Sequence, residues 1–194
     1  MAGGHALACH NAVRDHVYLA ALRAGLNPQR EERNLLPDDP RRRPGDLYFA
    51  LWPGSTGVAM DFAVTSPLQH ATVHEAAEHT LAAAAQYEQH KLDDRDTAAK
   101  CQAWGVRLVP MVAESFGGWG SMAQKAFKVI CAASANHTGD DNSLATSQFY
   151  EGLGIKLARA SARSLLARVA LVTTADSGSS AASRALSALT ATAA

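Results

Sequence analysis

Two short apolar runs around a Gly/Pro/Ser linker constrain this chain more than any other feature. Asp46 to Trp52 (DLYFALW) and Val58 to Thr65 (VAMDFAVT) are separated by Pro53, Gly54, Ser55, Thr56 and Gly57. Strand-forming runs joined this way predict a β-hairpin, and Ser66–Pro67 ends its second strand. Upstream, Val13, Val17, Leu19, Ala20 and Leu22 follow helical spacing over Asn11 to Leu22, with Gly25 as a stop. Gln29 to Leu36 reads as a short edge strand, and Pro37 to Pro44 as a turn-rich basic loop. Downstream, the pattern predicts one long helix from about Ala71 to Lys91 and a buried strand at Val106 to Ala113, where Pro110 implies an edge or a bulge. Helices follow at Ser121 to Ala133 and from Leu144 to about Val172, and the Ser/Ala/Thr-rich segment from Thr173 is expected to fray. The expected fold is therefore α/β: a small mixed central sheet flanked by helices, extended by helices at the C-terminal end.

Composition supports a globular chain and narrows its partners. Of 194 residues, 47% are hydrophobic, but alanine dominates that share and aromatics are only 6%, so each buried residue contributes little area. Formal net charge is zero, which argues mildly against a high-affinity nucleic-acid binder. Positive charge is nonetheless clustered, in Arg41, Arg42 and Arg43 and along a late helix at Lys156, Arg159, Arg163 and Arg168, where a solvated face is the plainer reading. Cys9, Cys101 and Cys131 are odd in number and far apart, so no disulfide framework is expected. With no secretory signal pattern and no long charge-free apolar run, we expect an intracellular protein without a membrane partner.

The chemistry-bearing feature is the acidic pair on the hairpin. Asp46 opens the first strand and Asp61 lies within the second among Met60, Phe62 and Val64. Cross-strand neighbours stand about 5 Å apart, so the two carboxylates repel unless a cation is shared. Hard oxygen ligands suit Mg²⁺ (or Mn²⁺), which takes one or two carboxylates and completes its shell with water and phosphate oxygens. Against this, Asp is common at strand ends, and two such residues arise readily by chance. Glu114, ending the buried strand, is a third candidate metal ligand, although a capping role for it is the simpler expectation.

These residues resemble a known family. Arg43-Pro44-Gly45-Asp46, a gap of about fourteen residues and then Asp61 is similar to the signature of the restriction-like endonucleases in site-specific non-LTR retrotransposon polyproteins, within the PD-(D/E)xK superfamily. Four further blocks agree in order: Gly4 to Cys9 resembles the end of a zinc knuckle, His10 to Asp15 the first helix, and Asp61 to Leu68 and Val109 to Trp119 later segments. The resemblance implies a zinc-knuckle remnant over residues 1–10, a restriction-endonuclease-like core over 11–135, a helical extension over 136–172 and a low-complexity tail over 173–194. It also implies divalent-metal-dependent nicking of DNA, in the nucleus, with Asp46 and Asp61 on the ion and Arg41, Arg42 and Arg43 on phosphate.

The sequence departs from the superfamily pattern twice. Gly45 stands between Pro44 and the first acid, and Ala63 replaces the lysine two residues after the second. In the retrotransposon branch the lysine lies on the following helix, and no Lys or Arg occurs between Arg43 and Lys91, so Lys91 is the candidate to orient or activate water. For a continuous helix starting near Ala71, however, Lys91 is expected to overshoot Asp61 by roughly 10 Å. The alternative function is a catalytically dead nuclease-like remnant, acting as a DNA-binding or interaction module or having no selected role.

Other constellations are weaker. His5 and Cys9, with His10 and His16 nearby, fall short of a zinc site because the upstream cysteines of a knuckle are missing. His74 and His79 are five apart rather than the four a zinc-protease helix needs, and the Gly117–Gly118–Gly120 turn lacks the Lys-Ser/Thr of a nucleotide-binding loop, so no nucleotide cofactor is expected.

Overall fold

A computed structural model describes residues 3–54 and 56–175. Helix α1 (Gly3–Arg23) is followed by β1 (Gln29–Arg30), β2 (Leu47–Phe49) and β3 (Gly57–Thr65). The crossover to β4 (Val106–Glu114) runs through α2 (Val73–Glu78), α3 (Ala82–Asp93), a single 3₁₀ turn (Asp94–Asp96) and α4 (Thr97–Ala103). Helices α5 (Ser121–Thr138) and α6 (Asn142–Ala175) complete the described chain. The sheet has the order β1-β2-β3-β4, antiparallel up to β3 and parallel between β3 and β4, so the expected small mixed α/β sheet is present.

Side-chain alternation decides which helix covers which face. Val58, Met60 and Phe62 of β3 join Cys9, Val13, Val17 and Ala21 of α1, spaced by four, in the main core. Ala59 points the other way, into a smaller cluster with Leu36, Cys101 and Leu108 under α4. β4 is buried along nearly its whole length, as expected for a strand covered on both faces. It is an edge strand, which accommodates Pro110, whose nitrogen has no proton to donate. Above the main core, α5 contributes Phe127 and Ile130, and α6 contributes Phe149, Leu153 and Leu157. Trp119 packs edge-on against Phe127 at 4.9 Å between ring centres.

Several boundaries differ from the sequence reading. The first edge strand shrinks to Gln29–Arg30, with Leu36 buried in the loop beyond, and β2 closes at Phe49. The single helix expected over 71–91 is broken at His79–Leu81, where Leu81 takes a left-handed conformation (φ +64°). Leu81 fills the space at Gly118, where an added Cβ would come within 2.1 Å of its Cδ2. Helix α4 was not anticipated: only Thr97 and Cys101 of its seven residues are buried, so it carries little hydrophobic periodicity. All three cysteines are free and buried. From residue 176 onward the expected tail lies outside the described residues, as do the side chains of His5 and Arg168.

Two helix starts are capped by carboxylates from other elements. Glu114 at the end of β4 accepts the Ala84 amide of α3 at 3.1 Å, and Glu88 of α3 accepts the Met122 amide of α5 at 3.0 Å. Each satisfies a backbone donor that has no partner within its own helix, and each places negative charge at a positive helix end. β4, α3 and α5 are thereby fixed relative to one another, which sets the position of Lys91.

Candidate functional site

Asp46 is the last residue before β2, and its amide donates to Met60 O at 2.8 Å although the ladder already pairs Met60 with Leu47. Two residues set against one make a β-bulge, a device that re-aims a side chain at a strand end. Gly45 explains why the bulge is tolerated. A Cβ at that position would lie 2.9 Å from Met60 O and 3.0 Å from Met60 N, so the residue between Pro44 and Asp46 has no room for a side chain.

The bulge brings Asp46 to His10 of α1. Its Oδ2 accepts the Phe62 amide at 2.7 Å, and its Oδ1 lies 3.1 Å from His10 Nε2. Asp61, on the α3 face of β3, receives Lys91 Nζ at 2.7 Å on Oδ2. The structure thus brings Lys91 to Asp61, against the expected overshoot. The break at His79–Leu81 spends residues without helical rise and restarts the helix in a new register. Tyr87, one turn earlier on α3, carries the Lys91 ammonium 5.9 Å from its ring centre.

Asp46 and Asp61 are neighbours whose carboxylates have different partners. Burial raises the Asp61 pKa above its ordinary value near 3.8; Lys91 opposes that rise, and the Asp46 charge adds to it. A raised carboxylate contributes stability that is complete below its unfolded pKa and is lost as pH rises through the folded one. Replacing Lys91 with Met removes the main opposing charge. The Asp61 titration, followed by carboxyl carbon NMR, should then move further up, and the pH window of lost stability should widen upward. An unchanged or lowered titration in Lys91→Met would contradict the ion pair.

Asp61 and Lys91 lie in a cleft of about 250 Å³, walled by Arg42, Arg43, Tyr87 and Thr97. The arginines are already engaged: Arg42 reaches Asp94 Oδ2 at 3.3 Å and also Thr97, while Arg43 pairs with Glu31. Arg41 is exposed in the same loop. Of the expected basic knot, two members face the cleft and share their charge with acids that sequence reasoning did not connect to them.

Glu114 is not part of this site. The parallel register sets Asp61 opposite Pro110 and Thr65 opposite Glu114. Four residues of strand separate them, about 13 Å, too far to share an ion. Its carboxylate caps α3 instead, an element before it in the chain. Cys9 lies within continuous α1, its thiol buried in the core and its pKa raised by that burial. His16 is turned to Phe149 O at 3.1 Å, and His74 and His79 are exposed. Among the described residues no three His, Cys, Asp or Glu side chains gather where they could hold a metal.

Sequence reasoning missed His10 as a partner of Asp46, and Glu88. His10 stands next to Cys9 in the α1 core stripe, so its flank position was readable once the stripe was set. No local signal marked Glu88, because its partner amide lies 34 residues away.

The chain matches no protein-family model and no curated protein. Among the described residues no helix is long and apolar enough to cross a membrane.

Proposed function

We propose that this chain is a divalent-metal-dependent DNA endonuclease domain of retrotransposon type, with a restriction-endonuclease-like core. One observation carries the reading: Lys91, the first lysine or arginine after Arg43, reaches Asp61 at 2.7 Å despite lying 30 residues away. A carboxylate beside a neighbouring carboxylate and a lysine, at the bottom of an arginine-walled cleft, suits hydrolysis of a phosphodiester. The donor set fits Mg²⁺, because Asp46 and Asp61 supply hard oxygen ligands and a hydrated ion needs no more than two. When bound, such an ion supplies Lewis-acid charge and acidifies a coordinated water.

The chain's own groups account for the rest. Lys91 holds a water or a phosphate oxygen next to Asp61 and offsets charge developing on the phosphate. Arg42 and Arg43 contact flanking phosphates, which positions a strand without reading its sequence. His10 and the Phe62 amide fix the orientation of Asp46. The test is nicking of supercoiled plasmid in Mg²⁺ or Mn²⁺: the reading expects open circles with the ion and none in chelator.

A second reading, a nuclease-like fold that binds DNA without cutting, is favoured by the engagement of both carboxylates. Asp46 is held by Phe62 and His10, and Asp61 by Lys91. DNA retention that falls steeply with salt, without nicking, would select it.

A further inference from the structure

On the opposite face of the sheet lies a cavity of about 380 Å³ that the cleavage site does not use. Met60, Val109, Trp52 and Met122 are among its lining residues, and the exposed Arg107 and Lys125 form its rim. Among the described residues neither rim cation has an ion-pair partner. The described elements that line the cavity carry few acids. Helix α5 contains none, the only one in β4 is Glu114 at its far end, and the only one in β3 is Asp61, which opens into the other cleft. In a chain of zero formal net charge, this apolar hollow with a cationic rim suits an anion with an apolar body.

Its place on the sheet narrows the ligand. Leu108 lines the Asp61 cleft, whereas its neighbours Arg107 and Val109 line this cavity. The two hollows therefore sit on opposite faces of edge strand β4. We propose that the cavity is a nucleotide subsite for a single strand of DNA passing over the β4 edge, with a base or sugar against Met122, Val129 and Pro53 and its phosphate on Arg107 and Lys125. Apolar walls joined to a positive track are how sequence-tolerant single-strand sites hold their ligand. The choice of DNA as occupant rests on the nuclease reading.

The experiment uses the whole chain with its methionine methyls labelled with ¹³C, in chelator so that nothing is cut. Adding 5′-dTMP or a ten-nucleotide oligo(dT) should shift the methyl signal of half-exposed Met122 and leave Met111, buried in the core and outside the cavity lining, in place. An Arg107→Glu/Lys125→Glu double variant should bind the oligonucleotide about tenfold or more weakly, while Lys156→Glu/Arg159→Glu, the same charge change at exposed residues that line neither hollow, binds as the parent does. A Met122 signal unmoved by either probe, or oligonucleotide binding unaffected by the Arg107→Glu/Lys125→Glu variant, would overturn the subsite. A shift with decanoate but not with oligo(dT) would also overturn it, assigning the cavity to an apolar acid. The two readings fail separately. If the Met122 methyl responds but Asp61→Asn nicks like the parent, the cleavage site falls and the subsite stands; if Asp61→Asn stops nicking and that methyl stays still, only the subsite falls.

Discussion

Asp61→Asn is expected to lower metal-dependent plasmid nicking by about a thousandfold or more, the scale at which a ligand and charge-stabilising group acts in a preorganised site. The substitution keeps the side chain's shape and removes a carboxylate whose burial already opposes ionisation, so the fold should persist. Lys91 is left with an amide partner and a fifth of its side chain open to solvent, which spares it a buried unpaired charge. Lys91→Met should fall with it, because each half of the pair positions the other. Glu114→Gln is the control: its carboxylate caps α3 about 13 Å along the ladder, and glutamine retains an acceptor oxygen. Nicking by Asp61→Asn at the parent rate would remove the proposed site. Equal loss in Glu114→Gln would place a metal ligand where the register does not allow one.

Phe127→Ala should cause the largest loss of stability. Phe127 is fully buried, and its ring meets Trp119, Phe149 and Tyr150 with centres 4.9, 5.0 and 5.8 Å apart. This aromatic knot joins the β4 turn, α5 and α6 in a core otherwise rich in alanine, so small neighbours cannot collapse into the space vacated. Large-to-small changes at such sites cost about 3–5 kcal/mol, which for a chain of this size lowers the melting temperature by roughly 6–20 °C. Leu51→Ala, at a residue 83% exposed, should leave the transition in place. Differential scanning calorimetry of the two variants checks this, and a Phe127→Ala transition within a degree or two of the parent would show that the knot does not bear on stability.

The hairpin, the mixed sheet and the helix order were readable because each rests on local periodicity. Val58, Met60 and Phe62 alternate, Val13 and Val17 recur by four, and Pro110 marks an edge, although Leu19 and Leu22 of the expected helical stripe are exposed. What the sequence hid depends on contacts between distant segments. Leu81 takes a left-handed backbone that nothing around it signals, with its side chain in the space Gly118 leaves, and that break shifts Lys91 onto Asp61. Gly45 looked like an interruption of the acidic signature, and only the closeness of the Met60 backbone shows that it makes the Asp46 bulge possible. Arg42 and Arg43 read as free phosphate contacts until Asp94 and Glu31 were found beside them. Helix α4 was lost because a helix with two buried residues has almost no pattern to show.

Whether Asp46 and Asp61 can serve one ion is best measured directly, by adding Mn²⁺ to carboxyl-labelled protein and reading paramagnetic broadening at each side chain. The account predicts that both carboxyl signals broaden together, at the same ion concentration, while Glu114 stays sharp, and that Asp61→Asn removes the effect at Asp46. Broadening of one aspartate without the other, or of neither, would contradict it.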